Sequence, residues 1–413
     1  MKKSELLESE WKKQLIHDLG LEKYNALHSK SDEGITIAPF YVANKTSFLK
    51  NRLLFPDDWN IITEIHKKEY SEICDEIDDN LINDINHIII KKNPEININE
   101  IIEKFEKTKA KFFIQSEKFD KNDLSKKNST LVYNQTTDVD SILAFKNIND
   151  KKIRININSD KIKNSGANII QEIAILLSIA NEYLQLYGGK IAKNISFEVN
   201  QGNNYFFEIA KVQSLRILWS LITNEYEEQI DKCLITAKPS LRNKTIKNYN
   251  NNIIRSTPEC ISGILGGSDF IKSVPYDILF KKNNNFSDRI KHNQLLILKN
   301  ETYLDKVCNA IEGSYYIHNL IDNISKNTLS LFKKIEKKGG YINSQKSGLI
   351  FKEINKSNIK EQSLYDSNKK ILVGFNKYIE DSNDLFVEEL HELKKKSEIL
   401  NPSIDRIAKS ELS

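Results

Sequence analysis

Charged residues cluster where a predicted strand is followed by a predicted helix, in the segment SDKIKNSGANIIQEIA (159–174). Asp160 and Lys161 come directly after the β-branched run KIRINI (152–157), and a long helical pattern begins after Gly166. In many α/β enzymes the catalytic side chains lie at the carboxyl ends of strands, where a carboxylate and an amine can act as acid and base. The segment is therefore a candidate active site, or the position of one that has been lost.

Polar side chains also alternate with apolar ones inside two strand candidates. KIRINI places Arg154 and Asn156 between isoleucines, and NISFEV (194–199) places Ser196 and Glu198 in the same way. Strands of a parallel barrel are covered on the outside by helices, so these polar side chains are expected to point into the lumen or its mouth. Arg154 and Glu198 could pair across the lumen, because an isolated buried charge is costly. The pattern leaves open a polar substrate channel and a lumen closed by a salt bridge.

Short β-branched runs alternate with amphipathic helical stretches from about residue 59 onward. This alternation predicts parallel strands, because a helix has to cover the sheet between successive strands. Eight such runs predict a (β/α)8 TIM barrel. An open doubly wound sheet is the alternative, although no glycine-rich phosphate fingerprint follows the first strand. The runs are WNIITEI (59–65), HIIIKK (87–92), KFFIQ (111–115), TLVYN (130–134), KIRINI (152–157), NISFEV (194–199), CLITAK (233–238) and FIKSV (270–274).

The same pattern divides the chain into three regions. Residues 1–58 form an N-terminal arm with a short amphipathic helix and the extended segment ITIAPFY. Residues 59–340 form the barrel domain with a following helix, and residues 341–413 form a charged C-terminal extension. Within the barrel, a helix is predicted to begin near Ser256-Thr257-Pro258 and to end at Gly266-Gly267. A hydroxyl cap with a first-turn proline favours a helix start, and glycine favours a helix end.

Composition excludes several classes of function. Lys and Arg number 61 and Asp and Glu 57, a net charge of +4 that supplies no basic domain or stripe for nucleic acid. The four cysteines are scattered without a C-x-x-C pair, so neither a metal site nor a disulfide framework is expected. No apolar run reaches the roughly 20 residues that span a bilayer, and the start MKKSELLESEWKKQL has no signal-peptide core. We expect a soluble, cytoplasmic protein that binds neither nucleic acid nor membranes.

Four segments stand out between residues 166 and 320 of the chain. In order, they are GANIIQEIA, FFEIAKVQSLRILWSLI, NNIIR…ILGGSDF…PYD and EGSYYIHNL. They resemble, in the same order, segments of the methylmalonyl-CoA mutases. The likeness is good over about residues 150–340 and thin elsewhere. Upstream, DEGITIAPFY (32–41) is similar to the entry segment typical of the small subunit of that family.

The resemblance implies a (β/α)8 barrel through which coenzyme A threads and, in catalytic chains, a C-terminal cobalamin domain. Such enzymes isomerise methylmalonyl-CoA and succinyl-CoA by adenosylcobalamin radical chemistry, in which the cofactor supplies the reactivity. In many bacteria the enzyme is a heterodimer whose small chain is a related barrel without a catalytic site.

The positions of the family's functional residues are occupied differently in this sequence. Aligned on Gly166, the Tyr-His pair of catalytic chains corresponds to Asp160 and Lys161. A flexible ammonium does not replace an imidazole fitted between substrate and cobalamin. The Gln that follows the family's L-G-G-T corresponds to Asp269, and a coenzyme A-contacting Arg falls at about Leu234. The D-x-H-x-x-G cobalamin motif is absent from the sequence.

The resemblance therefore predicts the small, non-catalytic subunit of a heterodimeric methylmalonyl-CoA mutase, in a shortened form without the cobalamin domain. It predicts no catalytic, cofactor-binding or metal-binding residue in this chain, and adenosylcobalamin is held by the catalytic large subunit. Arg154, Lys161 and Glu198 are expected to mark a remnant barrel pocket. The alternative is an acyl-CoA-binding barrel subunit that works with a separately encoded cobalamin-binding protein. Large side chains along the barrel axis would favour the non-catalytic subunit. An open channel leading to Lys161 would favour the acyl-CoA-binding subunit.

Overall fold

The (β/α)8 barrel predicted from the sequence is confirmed. The computed structural model describes residues 2–42, 55–93, 95–116, 129–135, 139, 142, 153–228, 233–246, 248–279 and 284–379. Each barrel strand pairs in parallel with the next in chain order, and the last strand closes the ring by pairing with the first. The strands are β1 Asn60–Ile65, β2 His87–Lys91, β3 Lys111–Ser116, β4 Ser129–Gln135, β5 Ile153–Asn158, β6 Ile195–Gln201, β7 Leu234–Pro239 and β8 Phe270–Ile271.

Helices cover the barrel, precede it in an N-terminal arm and follow it in a C-terminal extension. The arm also contains a short antiparallel pair of strands, Ser29–Lys30 and Thr36–Ile37. The described helices are α1 Lys2–Leu19, α2 Leu21–Ala26, α3 Tyr70–Ile82, α4 Ile98–Lys104, α5 Asp160–Asn164, α6 Ile169–Tyr187, α7 Tyr205–Asn224, α8 Asn251–Leu265, α9 Asn285–Asn300, α10 Tyr315–Glu336, α11 Gly340–Lys346 and α12 Leu349–Asp366.

Helix α6 is the apolar centre of the helical layer. A capping box begins it, because Gln171 N–H donates to Asn168 Oδ1 at 3.0 Å and Asn168 N–H donates to Gln171 Oε1 at 3.1 Å. Among the described helices, α6 is the one that is long and apolar enough to cross a membrane, contrary to our expectation that no run is. However, 89% of that stretch is buried inside the protein, where α6 packs against α7, α10 and α11.

Helix α8 begins five residues earlier than predicted. It spans Asn251–Leu265, so Pro258 lies inside the helix instead of in its first turn. Two neighbouring hydroxyls donate to carbonyls of the preceding turn, Ser256 Oγ to Asn252 O at 2.8 Å and Thr257 Oγ1 to Ile253 O at 3.0 Å. These two hydroxyls donate hydrogen bonds in the turn next to Pro258, which has no backbone N–H to donate. The predicted end is confirmed, since Gly266 caps the helix.

The arm and the extension meet beside the barrel. Lys370 Nζ lies 3.1 Å from Asp32 Oδ2, and Lys360 Nζ donates to the Asp32 carbonyl at 2.7 Å. Arg242, in the segment after β7, lies 2.6 Å from Glu361 on α12. These contacts fix the arm and α12 on the side of the barrel where the strands end.

Candidate functional site

The carboxyl ends of β8, β1 and β2 carry a group of three charges, which we call the Glu64 triad. Lys91 Nζ lies 2.7 Å from Glu64 Oε1, and Lys272 Nζ contacts Glu64 Oε2. Each strand contributes its last inward-facing residue, because side chains alternate between the lumen and the helical layer. Burial would raise the pKa of Glu64, but Lys272 and Lys91 lower it far below its usual range. The carboxylate therefore stays ionised, and the triad has a net charge of +1.

The ends of β5, β6 and β7 carry a second group, the Lys238 triad. Lys238 Nζ lies 2.7 Å from Asp160 Oδ2 and 2.6 Å from Glu198 Oε1. Asn158 donates to Glu198 at 3.1 Å, and Asn200 donates to Asp160 at 2.8 Å. Burial would lower the pKa of Lys238, but the two carboxylates raise it well above its usual range. This triad is ionised and has a net charge of −1.

An aromatic layer fills the barrel beneath the triads, toward the amino ends of the strands. The His87 and Phe270 rings make an edge contact with centroids 5.2 Å apart, and Phe113 lies 5.7 Å from Phe270 and 6.1 Å from His87. Burial lowers the pKa of His87 to about 4, so the ring is neutral near pH 7. Arg154 lies at the same end of the barrel and donates to the Lys193 carbonyl at 3.0 Å.

The space that remains in the lumen is small. A cavity of about 150 Å³ is lined by both triads and by Phe113, Arg154 and Phe270. A second cavity of about 210 Å³ lies at the mouth and shares Glu64, Lys91, Asp160, Lys238 and Lys272 with the first. Cavities that bind drug-sized ligands measure roughly 300–1,000 Å³. A coenzyme A thioester along the axis would have to displace the aromatic layer.

The structure brings together some of the predicted site residues and separates others. Arg154 and Glu198 both line the lumen cavity, but they do not pair, because Glu198 is bound by Lys238 and Arg154 points to the amino end. Asp160 lines both cavities. Lys161 is exposed on α5 and is not among the described residues that line either cavity.

Lys238, Glu64, Lys91 and Lys272 were missed by the sequence reading. A signal was available for Lys238, since Thr236 and Lys238 alternate with Ile235 and Ala237 in the run CLITAK. The runs WNIITEI and HIIIKK do not alternate, so the pattern that identified Arg154 and Glu198 does not identify Glu64 or Lys91. Their pairing, however, depends on how far each strand is staggered against its neighbour, which alternation does not specify.

Two of the segments that carry the family resemblance form a buried charge network behind the lumen. Lys211 Nζ lies 3.5 Å from Glu172 Oε2 and contacts Glu208 Oε2. Lys163 Nζ lies 3.5 Å from Glu172 and 3.7 Å from Glu208, and Ser159 Oγ donates to Glu172 at 2.8 Å. All four charged side chains are buried. These motif residues therefore connect β5, α6 and α7.

The described residues around the mouth offer no cluster of metal ligands. The part of the chain that the structure describes contains no group of three or more His, Cys, Asp or Glu side chains that could hold a metal ion. His292 lines the mouth, but its Nε2 lies 2.8 Å from Thr63 Oγ1, and burial lowers its pKa to about 4.

Comparison with known proteins identifies relatives over much of the chain. The family model described as methylmalonyl-CoA mutase matches residues 126–410, more than half of the 413-residue chain. The methylmalonyl-CoA mutase small subunit of Porphyromonas gingivalis is 33% identical over 234 residues, which are 54% of this chain and 38% of that protein.

Two further relatives are named methylmalonyl-CoA mutase. The Escherichia coli protein is 31% identical over 239 residues, which are 56% of this chain and 34% of the relative. The Rhizobium meliloti protein is 29% identical over 233 residues, which are 54% of this chain and 33% of the relative. The matched part of the chain thus spans only about a third of the length of these curated relatives.

Proposed function

The chain belongs to the methylmalonyl-CoA mutase family, and from that premise we propose that it is a small barrel subunit without an active site of its own. In this proposal it stabilises the catalytic large subunit of a heterodimeric methylmalonyl-CoA mutase. The observation that carries the proposal is the lumen, where the Glu64 and Lys238 triads and the aromatic layer leave about 150 Å³. A fold alone does not imply an activity, so the argument rests on this site.

Threading coenzyme A through this lumen would be costly. The cavity between the two triads measures only about 150 Å³, and the rings of His87, Phe113 and Phe270 close its other end. A coenzyme A chain along the axis would have to displace these packed rings at every binding event, and forcing extra groups into a packed core is destabilising. The filled amino end of the barrel therefore supports a structural lumen.

The residues at the family's Tyr-His positions support the same conclusion. Asp160 neutralises Lys238, so its carboxylate already has a structural partner. Lys161 is exposed and lies outside the lining of both cavities. Lys161 does not stand where it could assist a reaction at a substrate carbonyl, for which a catalytic group has to lie within hydrogen-bond reach. Asp160 does line both cavities, but Lys238 and Asn200 already donate to its carboxylate.

The N-terminal arm offers a surface for the proposed partner. None of the described residues of α1 that have a burial assignment, 6–19, is buried in this chain, and Leu6 and Leu7 are exposed. Most of the stability of a helix in a protein comes from packing of its apolar face, and residues 6–19 of α1 bury no such face in this chain. We propose that the large subunit covers the arm and that the interface buries more than about 1,000 Å², as stable complexes do. The complex would hold adenosylcobalamin through the large subunit.

The proposed compartment is the cytoplasm. Cys74, Cys233 and Cys260 are buried free thiols, and Cys308 is an exposed one. Free thiols are usual where the glutathione and thioredoxin systems keep cysteine reduced.

The test is co-expression of this chain with the catalytic large subunit of the same source. We expect the two to co-purify as a 1:1 complex in which the large subunit has a higher melting temperature than alone. Turnover of methylmalonyl-CoA should appear with adenosylcobalamin when the large subunit is present, and this chain alone should show none. A large subunit that neither binds this chain nor gains stability from it would contradict the proposal.

The alternative is an acyl-CoA-binding barrel that uses a separately encoded cobalamin-binding protein. The observation in its favour is the mouth cavity, where Lys91, Lys238, Lys272 and Lys291 could face an anionic substrate. Turnover by this chain with adenosylcobalamin and a cobalamin-binding domain, in the absence of any large subunit, would establish it. We favour the non-catalytic role because each of these lysines already lies next to a carboxylate.

A further inference from the structure

The two triads give the lumen cavity a positive wall and a negative wall. The Glu64 triad lies on β8, β1 and β2, and the Lys238 triad lies on β5, β6 and β7. The two arcs adjoin where β7 pairs with β8, and β3 and β4 separate them on the other side. The side with net charge +1 and the side with net charge −1 line the same cavity. The upper layer as a whole is neutral, with three lysines and three carboxylates.

Both walls retain capacity for further hydrogen bonds. An ammonium has three donors, and the described contacts of Lys272 use one of them, on Glu64. A carboxylate has about four acceptor positions, and the described contacts of Asp160 use two, for Asn200 and Lys238. A bound molecule could therefore accept from the positive wall and donate to the negative wall without breaking an existing ion pair.

The size and the access of the cavity restrict what can bind there. The volume of about 150 Å³ is half of the roughly 300 Å³ at which cavities for drug-sized ligands begin. The mouth cavity of about 210 Å³ shares five charged residues with it, and thus provides a route from the surface. The aromatic layer closes the other end. The site suits a small molecule that enters from the mouth.

We propose that the lumen cavity binds a small zwitterion of the α-amino acid class, such as alanine or serine. Its carboxylate lies against Lys91 and Lys272, and its ammonium lies against Asp160 and Glu198. A molecule with only one charge leaves one wall without a partner, and a zwitterion satisfies both while keeping the layer neutral. The inference concerns this chain alone and does not depend on the proposed large subunit.

The test compares L-alanine with two analogues that each lack one of its charged groups. Propionate lacks the ammonium and ethylamine lacks the carboxylate. Binding to the full chain is measured by isothermal titration calorimetry and by saturation-transfer NMR. We expect alanine to bind at least about tenfold more tightly than either analogue, because a charge-assisted hydrogen bond contributes on that order. Equal binding of propionate and alanine would overturn the proposal in favour of a simple anion site. If no amino acid binds, the cavity holds only water and the proposal is also overturned.

Variants of each wall locate the site. Lys272→Met on the positive wall and Asp160→Asn on the negative wall should each weaken alanine binding by about tenfold or more. Thr236→Phe, which fills the cavity without changing a charge, should abolish binding while circular dichroism shows an intact fold. Lys338→Met, at an exposed lysine after α10, is the matched control and should leave the affinity unchanged. Unchanged binding in Thr236→Phe would place the ligand elsewhere and refute the assignment.

Discussion

Arg216 Nη2 lies 2.7 Å from Asp269 Oδ2 at the amino ends of the barrel strands, opposite the lysine-lined mouth. Asp269 also accepts the Ile235 N–H at 2.8 Å, and Arg216 donates to the Gly267 carbonyl at 2.7 Å. The two side chains therefore join α7 to the seam between β7 and β8. Asp269, which the family resemblance aligns with a Gln, thus has its carboxylate held by the Arg216 cation and by a backbone N–H.

Removing Arg216 should strongly destabilise the fold. Arg216→Met leaves the Asp269 carboxylate without its cation and two carbonyls without their donor, for which we expect a loss of about 3–5 kcal/mol in unfolding free energy. Urea unfolding monitored by circular dichroism measures it. Arg289→Met, at an exposed arginine on α9, is the control and should lie within about 0.5 kcal/mol of wild type. Similar losses of unfolding free energy in both variants would contradict a stabilising role of the Arg216–Asp269 ion pair.

Two lysines, one buried in the lumen wall and one exposed next to it, test the structural role of the Lys238 triad. Lys238→Met should cost about 3 kcal/mol, because Glu198 remains buried and Asp160 remains partly buried without their cation. Lys161→Met, which removes an exposed lysine only one residue from Asp160, should change stability by less than about 0.5 kcal/mol. The measurement is again urea unfolding at neutral pH.

A compensating variant separates charge from packing in the Lys238 triad. Lys238→Met combined with Asp160→Asn and Glu198→Gln removes all three charges and should recover most of the loss. A triple variant that remains as unstable as Lys238→Met would indicate that the lysine stem, and not its charge, stabilises the layer.

The architecture was predictable because every barrel strand left its own local signal. Ile153, Ile155 and Ile157 are almost fully buried and alternate with lumen-facing polar residues, as the run KIRINI indicates. The helices between the runs then required parallel pairing. Even β8, which has only two paired residues, was found, because FIKSV follows the glycines that end α8.

The partners inside the lumen could not be predicted in the same way. Glu198 was expected to pair with Arg154 because the two strands are consecutive, but it pairs with Lys238 on the other neighbouring strand. The choice depends on height along the barrel axis. Arg154 is near the beginning of β5, whereas Glu198 is level with Asn158 at the end of β5, and Lys238 is near the end of β7. Strand stagger sets that height, and it is a property of the closed barrel.

Glu76 on α3 should make the protein less stable as the pH rises. Burial, and then the nearby charge of Asp288, raise its pKa from 4.5 to about 7. The folded chain holds this proton more tightly than the unfolded chain does, so the contribution is present below pH 4.5 and is lost as the pH rises through about 7. After allowance for solvent screening we expect a change of about 1–2 kcal/mol over that window.

The variant Glu76→Gln should remove that slope, because the amide is neutral at every pH. Unfolding free energies measured across the window should then differ between wild type and Glu76→Gln only toward the alkaline side. Glu72→Gln, at an exposed position of the same helix, is the control and should keep the wild-type slope. A wild-type slope in Glu76→Gln would assign the pH dependence to other groups.

Gly166 should tolerate no side chain, because α12 packs directly on it. Its φ is +105°, and an added Cβ would lie 2.6 Å from Asn358 Cβ and 2.9 Å from Arg242 Nη2. Gly166→Ala therefore combines backbone strain of about 1–3 kcal/mol with a steric clash. Gly188→Ala is the matched control, with φ of +84° and open space around its Cβ, and should show the strain alone.

Adding Asn358→Gly should relieve the clash in Gly166→Ala, and a double-mutant cycle in urea unfolding measures the coupling. Equal losses in Gly166→Ala and Gly188→Ala, with no coupling to Asn358, would show that α12 does not pack against this turn.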